Sequence, residues 1–404
     1  MLRASGNAAL LALFVLVVMQ QTPVTNAHRS LLAGEPCCHG HPSDAAHALA
    51  LKHVGTGDPS ANRDRLACVY LLTDLNRKDR DRVAMLRKSI DLLRENLFPT
   101  TEANVYVFTT DVYVDDMRSA LGEQGRLPNV AVLPLDNSSW SIPELGRDST
   151  QWMGLFPAPY RLMGDWRMSF MPYFVRTMGH RFVLQLDDDS FILSPVGRDL
   201  VAMFEQNGLK IAAQKINRDP PQVTWGLAEL ARYFIVSHKI APTQLFSYCR
   251  PRNLDGLHST FDQKRLAGSL TPEQMQALQE DNMPSTGGWT RHVLYGNCVM
   301  YSLEWWFTPM VHRFVQLCRA TGGPFMYRWN EQGVLAMLWQ IFVRPEEFYM
   351  FEFDYRHRFL PGVFDKPGAG GGEEEEEEKE EGGGGGEEGG EGEEKEEGDE
   401  EEGR

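Results

Sequence analysis

The chain has 404 residues, a hydrophobic fraction of 42% and a formal net charge of −16. The stretch from Pro367 to Arg404 accounts for this whole charge, because its 19 acidic residues stand against 3 basic ones. The remaining body is balanced, with 37 acidic and 37 basic residues, so bulk charge gives no case for nucleic acid or an anionic membrane surface as a partner.

The N-terminal segment has the pattern of a targeting sequence. An apolar run from Ala8 to Met19 follows Arg3 and precedes the small residues Thr25 to Ala27, as in a cleaved secretory signal. The run is short for a membrane span, so residues 1–27 are predicted to be either a signal peptide or a type II signal anchor. Both alternatives predict entry into the secretory pathway, with membrane contact only through this segment if it stays uncleaved.

Two further features of the sequence, a stem and a sequon, fit that pathway. Residues 28–60 mix His, Gly, Pro and Ser without an apolar period and predict a stem. Asn137-Ser138-Ser139 is an N-glycosylation sequon, which predicts an exposed loop.

The Gly/Glu tail over 366–404 cannot bury enough apolar surface to become ordered and is predicted to be a disordered spacer, or a weak binder of cations or basic partners. The cysteines would meet oxidising conditions but show no zinc spacing; they are Cys37, Cys38, Cys68, Cys249, Cys298 and Cys318.

Strand and helix patterns alternate from Leu66 onward. Apolar runs predict buried strands, and apolar residues at helical spacing predict the helices between them. The predicted elements are a strand over Leu66–Leu72, a helix over Arg80–Leu97, a strand over Asn104–Thr109, a helix over Val114–Leu121, and strands over Val130–Leu133 and Phe182–Leu186. This alternation predicts an α/β fold with a mostly parallel central sheet flanked by helices, in one domain over 61–365.

Three adjacent carboxylates, Asp187, Asp188 and Asp189, directly follow the predicted strand Phe182–Leu186. In α/β sheets, ligands gather at the carboxyl ends of strands. Hard oxygen ligands in that place suit Mg²⁺ or Mn²⁺ held against a diphosphate, which favours an enzyme that uses a nucleotide-activated donor. The alternative is a solvated turn or helix start that happens to be acidic.

Several downstream segments combine aromatic and polar residues. They are Tyr160-Arg161 with Trp166-Arg167 and Phe170, Tyr295 to Tyr301 with Glu304-Trp305-Trp306, Thr321 to Glu331, and Phe351 to His357. Their order and spacing resemble glycosyltransferase family 15, the fungal-type α-1,2-mannosyltransferases of the Golgi. Members of that family carry Tyr-Arg-x-Met, a Glu-Pro-Asp metal motif, Asn-Phe-Glu, Gly-Gly-Phe-Phe-Tyr-Glu-Arg-Trp-Gly-Asp and a late Tyr-x-His. The resemblance covers roughly Leu66 to Arg358.

The resemblance implies a GT-A-type nucleotide-sugar transferase fold, GDP-mannose as donor and transfer with retention of configuration. Asp187 and Asp189 match the two acids of Glu-Pro-Asp, and His357 matches the late histidine, so these three are the implied ligands of Mn²⁺, or of Mg²⁺. Asp188 replaces the proline of the motif and is assigned to the donor side. His357 has a plain alternative as an ordinary core or surface histidine.

Other matches imply residues that bind the donor or the acceptor. Tyr160 and Arg161 match the Tyr-Arg pair, while Arg328 and Trp329 match the Arg-Trp of the longest motif. Glu331 falls on the final acid of that motif, where a carboxylate can bind sugar hydroxyls through charge-assisted hydrogen bonds. The alternative for Glu331 is an exposed acid stabilised by the dipole of a helix start.

One departure concerns the carboxylate proposed as the nucleophile of the family. Asn297-Cys298-Val299 stands in place of Asn-Phe-Glu, so a valine occupies the glutamate position, and Leu335 replaces a later histidine. Four explanations stay open: a front-face reaction without a protein nucleophile, substitution by Glu331 or Glu304, lost or altered activity, and a misplaced alignment.

The acidic triplet together with this resemblance implies a metal-dependent glycosyltransferase, α-1,2-mannosyltransferase-like, that acts on a glycan or glycoprotein acceptor in the Golgi lumen. The catalytic assignment is Glu331. The alternatives are a related transferase that uses another nucleotide sugar, and a catalytically weak glycan-binding member of the fold.

Overall fold

The computed structural model describes residue 50 and residues 58–73, 81–135, 139–149, 152, 156–220, 223–249, 289–361 and 363–364. The chain divides into two compact units, Met1–Leu360 and Pro361–Arg404, and every helix and strand given below belongs to the first. The predicted N-terminal signal, Asn137 of the sequon and the acidic tail over 366–404 lie outside the described residues, and so does nearly all of the predicted stem.

The strands alternate with helices along the described chain. The strands are β1 (Leu66–Leu71), β2 (Ala103–Thr110), β3 (Val130–Leu135), β4 (Phe182–Leu186), β5 (Ser190–Ile192), β6 (Ile211–Ala213), β7 (Ile216–Arg218), β8 (His292–Leu294), β9 (Cys298–Ser302), β10 (Phe348–Met350) and β11 (Tyr355–His357). The α-helices are α1 (Arg82–Asn96), α2 (Val114–Leu121), α3 (Ala158–Thr177), α4 (Leu200–Asn207), α5 (Leu227–Ser237), α6 (Leu303–Trp306), α7 (Pro309–Ala320), α8 (Gly323–Met326) and α9 (Glu331–Phe342).

Seven strands form the central sheet, in the order β10-β6-β9-β4-β1-β2-β3. The pairs among β4, β1, β2 and β3 are parallel, and so is the pair of β6 with β10. Strand β9 runs antiparallel to both of its neighbours, β4 and β6. Two small antiparallel ribbons complete the described strands, one from β5 with β11 and one from β7 with β8.

Apolar side chains pack on both faces of the central sheet because its inner strands are buried throughout. All six residues of β1 are buried, and they alternate between two core clusters: Val69 joins the cluster that contains α3 and α9, while Cys68 joins the one that contains α1 and α4. Burial on both faces explains why these strands have continuous apolar sequences instead of alternating ones.

The predicted fold class is confirmed, since a mostly parallel sheet carries helices on both faces. The predicted helix Val114–Leu121 and strand Phe182–Leu186 have the bounds of α2 and β4. Among the described residues, no helix is long and apolar enough to cross a membrane. The described cysteines, Cys68, Cys249, Cys298 and Cys318, are free thiols.

Candidate functional site

The acidic triplet lies at the point where the strand order of the sheet reverses. Strand β1 pairs with β2 on one side and with β4 on the other, so the connections leave this point in opposite directions. In doubly wound sheets, a crevice opens at the carboxyl ends of the strands at such a switch point and binds ligands there. Asp187 follows β4 directly, and its N–H donates to the carbonyl of Asn297 at 3.1 Å.

Asp187, Asp189 and His357 converge although they are distant in sequence. Their ligand atoms all lie within 4.8 Å of one another, with His357 Nε2 at 3.1 Å from Asp189 Oδ1 and 3.4 Å from Asp187 Oδ2. The antiparallel ribbon of β5 and β11 produces this contact, because it pairs His357 with Ser190. The three predicted metal ligands thus share one place in the structure.

Neighbouring groups fix the orientation of these ligands. The Tyr295 hydroxyl lies 2.9 Å from His357 Nδ1, which leaves Nε2 directed at the two carboxylates. Arg358 has a φ of 73°, in the left-handed region, and its N–H donates to the Asp189 carbonyl at 3.0 Å. Outer contacts of this kind hold metal-ligating side chains in place.

The electrostatics of the cluster favour ionised carboxylates. Burial by itself would raise the pKa of Asp187, but the charge of Arg167 and the hydrogen bond from His357 hold it well below its ordinary value. Burial also opposes ionisation of Asp189, yet His357 lowers the pKa of that carboxyl. The same contacts raise the pKa of His357 against the effect of burial. Both carboxylates are therefore charged at neutral pH and available to a cation.

Asp188 points away from the metal ligands and forms an ion pair with Arg82 at the start of α1. Both carboxylate oxygens accept hydrogen bonds from this guanidinium, and Asp188 is buried. Burial raises the pKa of Asp188 to about 6, although Arg82 acts in the opposite direction. The middle acid of the triplet thus anchors α1, which begins at Arg82, to the end of β4.

The charges of the cluster fit a divalent cation. The cluster contains four carboxylates and two guanidinium groups, so its formal charge is −2 when the imidazole is neutral. The charged and ligating side chains are Asp187, Asp188, Asp189, Glu331, Arg82, Arg167 and His357. The two carboxylates are ligands that suit Mn²⁺ or Mg²⁺, and the imidazole adds a nitrogen donor of the kind that transition metals accept.

A second acid, Glu331, is tied to this cluster through Arg167. Arg167 on α3 donates to Glu331 Oε1 at 2.8 Å and to Asp187 Oδ1 at 2.5 Å. Gln185 on β4 also donates to Glu331 Oε1, at 3.3 Å. Arg167 and Glu331 are almost fully buried. The carboxylate of Glu331 is therefore a fixed part of the site, and the alternative of an exposed helix-start acid is wrong.

Local sequence explains how Glu331 reaches this position. Asn330 caps α9 by accepting the N–H of Gly333, and Glu331 occupies the first turn, where the helix dipole favours a negative charge. Two glycines make room for it: a Cβ at Gly164 would lie 3.0 Å from the Asn330 side chain, and one at Gly296 would lie 3.1 Å from Glu331 Oε1. A Cβ at either position would crowd the contact of α9 with α3 or with the segment just before β9.

Val299 lies in the middle of the central sheet and carries no polar function. It is fully buried and pairs with Gln185 of β4 and Ala213 of β6. Glu304, one of the acids considered as its substitute, is exposed on α6, beyond the end of β9 that adjoins the start of β4. Leu335 is buried in α9. Among these positions and Glu331, Glu331 alone places a carboxylate next to the predicted metal ligands.

Tyr160 and Arg328 form a neighbouring polar group with an acid that the sequence did not point to. Arg328 donates to the Tyr160 hydroxyl at 3.2 Å and lies 3.6 Å from Asp219 Oδ2. Its guanidinium stacks over the ring of Phe156, with a distance of 4.3 Å to the ring centroid. Arg328 has a φ of 61°, a conformation that is rare outside glycine and is often found at functional sites.

Arg161 and Trp329 have contacts of a structural kind. Arg161 donates to the carbonyls of Phe156 and Phe325. The indole N–H of Trp329 donates to the carbonyl of Trp225 at 2.7 Å. Both side chains are buried, and binding of a donor or acceptor by them stays a prediction.

Several polar atoms near Glu331 are buried without a hydrogen-bond partner. They have no partner within the described part of the chain, although buried polar atoms are usually paired. They are Gln185 Oε1, both side-chain polar atoms of Asn297, the Tyr301 hydroxyl and Glu331 Oε2. Unpaired groups gathered next to a charged cluster are typical of a site that trades stability for function.

Sequence reasoning gave no role to Arg82, Arg167, Gln185, Tyr295 or Asp219, although Arg167 and Tyr295 lie in the segments that combine aromatic and polar residues. For Arg167 there was a signal, since the residue interrupts a run of apolar and aromatic residues in α3, and a buried guanidinium requires an acidic partner. For Asp219 and Arg82, nothing in the surrounding sequence indicates the partner.

Comparisons with known proteins bear on the fold. No protein-family model matches the sequence, and no curated protein is detectably similar to it. The solved structures with a similar fold include core-mannan synthase A from Aspergillus fumigatus in an Mn/GDP form, at 14% identity with a TM-score of 0.55, covering 79% of this chain and 81% of that one. They also include the mannosyltransferase Ktr4p from S. cerevisiae, at 13% identity with a TM-score of 0.55, covering 82% and 86%.

Another structure of that yeast protein, in complex with GDP, is similar at 14% identity with a TM-score of 0.53. At such low sequence identities, the similarity to these structures shows a shared fold. The predicted resemblance to fungal mannosyltransferases is confirmed at this level, and the chain has the GT-A-type nucleotide-sugar transferase fold.

Proposed function

We propose that this protein is a metal-dependent glycosyltransferase that transfers mannose from GDP-mannose, with retention, to a glycan or glycoprotein acceptor. The observation that carries the proposal is the convergence of Asp187, Asp189 and His357 at the carboxyl end of β4, in a fold shared with solved mannosyltransferases. A resident divalent ion, Mn²⁺ or Mg²⁺, is part of the proposal. So is an α-1,2 linkage like that of the resembling family.

The side chains around β4 have distinct roles in this proposal. Asp187, Asp189 and His357 hold the ion, and Tyr295 keeps the imidazole in its ligating orientation. The bound ion would neutralise negative charge on the departing diphosphate. Arg82 is held by Asp188 at the same end of the sheet. Its positive charge reduces the net negative charge of the site and so weakens the repulsion of a nucleotide diphosphate.

Glu331 is the proposed carboxylate that faces the reacting sugar. Its Oε1 is fixed by Arg167 and Gln185, while Oε2 has no hydrogen-bond partner within the described residues. A fixed carboxylate oxygen of this kind can stabilise positive charge that develops at the anomeric carbon. This role replaces the carboxylate that Val299 cannot supply.

Localisation follows from the N-terminal segment. The apolar run over Ala8 to Met19 supports entry into the secretory pathway, and we propose the Golgi lumen as the place of action. Asn137 should then carry a glycan. A purified protein from a secretory host that shows no glycosidase-sensitive mass shift would contradict this topology.

The donor is tested by a screen of GDP- and UDP-sugars with Mn²⁺, with Mg²⁺ and with a chelator. We expect turnover or slow hydrolysis of GDP-mannose that the chelator abolishes. If the protein turned over only a different nucleotide sugar, the proposed donor would be wrong but the assignment as a glycosyltransferase would stand. Activity that persists in the chelator would refute the metal requirement.

Asp189→Asn tests the metal site itself. The substitution keeps the shape of the turn and removes one charge, so metal and donor binding should weaken together. Loss of one such contact in a partly desolvated site costs about 2–4 kcal/mol, which corresponds to roughly a hundredfold loss of turnover. Asp354→Asn is the matched control, because Asp354 is exposed beside β11 and should not affect activity. Equal activity of Asp189→Asn and the parent would refute the site.

Val299 favours a second candidate, a glycan-binding protein of the same fold with weak catalysis. A valine in the middle of the sheet removes the carboxylate that the resembling family places there. The two candidates differ in turnover: binding of GDP-mannose without transfer or hydrolysis, at saturating Mn²⁺, would support the second. Loss of turnover in Glu331→Gln with unchanged GDP binding would support the first.

A further inference from the structure

We propose that Arg167 is a positioning residue for the metal site, which holds Asp187 in its ligating orientation by bridging it to Glu331. This inference rests on the proposed function, because it assumes that Asp187, Asp189 and His357 bind a divalent ion. It assigns to Arg167 on α3 a role that none of the sequence motifs indicated.

The geometry of the guanidinium supports this role. One terminal nitrogen of Arg167 donates to Asp187 Oδ1 at 2.5 Å, and the other donates to Glu331 Oε1 at 2.8 Å. Asp187 therefore presents its other oxygen, Oδ2, to His357 Nε2 at 3.4 Å. A planar fork can hold two carboxylates at fixed angles, which a single ammonium group cannot do.

Glu331 keeps Arg167 from pairing with Asp187 alone. A guanidinium that served only Asp187 would compete with a cation for that carboxylate. Since Glu331 is anchored at the start of α9 and is also contacted by Gln185, it holds the other nitrogen of Arg167 in place. The row of Asp187, Arg167 and Glu331 thus leaves Oδ2 of Asp187 for the metal ion, while Oδ1 is held by Arg167.

A purely Coulombic effect of Arg167 would change the metal affinity differently from a positioning role. Arg167 is a positive charge next to a cation site, so its removal by itself should tighten metal binding. Removal of Arg167 together with the charge of Glu331 should leave the affinity nearly unchanged, because one positive and one negative charge disappear. Positioning predicts weaker binding in both cases, since Asp187 loses its orienting contact.

The experiment measures Mn²⁺ affinity by isothermal titration and by the signal of free Mn²⁺ in electron paramagnetic resonance, without any donor. Arg167→Lys keeps the charge and loses the fork. The double variant Arg167→Met with Glu331→Gln removes the buried pair together, which avoids leaving an unpaired buried carboxylate on Glu331. We expect Mn²⁺ to bind on the order of tenfold more weakly in both variants, as is usual when an outer contact of a metal ligand is lost.

The charge-balanced double variant Arg319→Met with Asp165→Asn is the matched control. Arg319 and Asp165 form a two-pronged ion pair at 2.6 and 3.0 Å between α7 and α3, and neither residue belongs to the row of Asp187, Arg167 and Glu331. Its Mn²⁺ affinity should equal that of the parent. Parent-like or tighter Mn²⁺ binding in the Arg167 variants would overturn the positioning role while leaving the proposed transferase intact.

Other outcomes separate the two proposals further. Weak Mn²⁺ binding in the Arg167 variants, together with no sugar transfer by the parent, would support positioning and refute the transferase. A parent protein that binds no Mn²⁺ at all would overturn both.

Discussion

Adjacent strands of the central sheet carry two polar groups that differ in how they are paired. At the end of β4, every acid of the triplet contacts a cationic or imidazole partner: Asp187 contacts Arg167, Asp188 contacts Arg82, and Asp189 contacts His357. On β9 and just before it, Tyr301 and Asn297 are buried with unpaired side-chain polar atoms, within the described residues. The charged group is preorganised by its partners, whereas the neutral group is retained at a cost in stability.

Removal of Arg167 should break the charged group and have the largest effect. In Arg167→Met, the buried Glu331 and the partly exposed Asp187 lose their shared partner, so the free energy of unfolding should fall by about 3–5 kcal/mol. Urea denaturation without metal measures this change. Arg319→Met is the comparison, and its effect should be smaller because the Arg319 side chain is 24% exposed. Equal losses in the two variants would contradict the special status of Arg167.

Val299→Glu tests whether β9 tolerates a charge. The new carboxylate would be fully buried, opposite Gln185 and near Glu331, and no basic residue is introduced to pair with it. The free energy of unfolding should therefore fall by about 2–4 kcal/mol, and activity should not rise. Val299→Gln separates charge from size, and thermal unfolding with a transferase assay measures both. A more active Val299→Glu protein would show that this strand had merely lost its carboxylate.

His180 extends the comparison to a buried titratable group whose partners are neutral. It contacts the Tyr106 hydroxyl and the Arg65 carbonyl, each at 2.8 Å, and burial lowers its pKa from 6.5 to about 4. Between these two pH values, His180 is protonated in the unfolded chain but neutral in the folded protein. The contribution of neutral His180 to the free energy of unfolding is therefore complete above pH 6.5 and is lost as the pH falls toward 4. The loss should reach about 2–3 kcal/mol.

His180→Gln provides the measurement for that pH dependence. The variant has no imidazole to titrate, so its free energy of unfolding should decline less steeply than that of the parent between pH 6.5 and pH 4. Parallel curves for the two proteins would mean that His180 does not contribute to acid sensitivity.

Asn297→Leu should have the smallest effect on stability. Its side-chain amide has no partner within the described residues, so an apolar side chain of similar shape should be neutral or stabilising by up to about 1 kcal/mol. Gln185→Leu is the contrast, because it removes hydrogen bonds to the Gly296 carbonyl and to Glu331 and should destabilise. Calorimetry of both variants measures the difference. A marked loss in Asn297→Leu would show that its amide is paired in solution.

The order of the main elements and the position of the triplet were predictable from sequence for one reason. Strands that are buried on both faces leave continuous apolar runs, and Phe182–Leu186 ends abruptly in acids. The fold class and the carboxyl-end position follow from these runs, because parallel sheets bind ligands at that edge. His357 was predicted as a metal ligand only because it matches the late histidine of the resembling family, since nothing in the neighbouring sequence distinguishes it from an ordinary histidine.

The partners of the acids were not predictable in the same way. Arg167 and Glu331 are 164 residues apart, and their contact depends on how α3 crosses the start of α9. Gly164 and Gly296 permit this approach, but a glycine in a sequence does not reveal which side chain it accommodates. The burial of Glu331 was missed for this reason.

The small ribbon of β5 and β11 has a consequence for folding. The hydroxyls of Ser190 and Tyr355 meet at 2.8 Å across 165 residues of sequence, so β11 supplies His357 only through a highly non-local contact. Closing such a loop costs entropy that no local structure recovers, and contacts of this kind form late and slowly. The acidic end of β4 therefore gains its histidine only when this long-range pairing of β5 with β11 has formed.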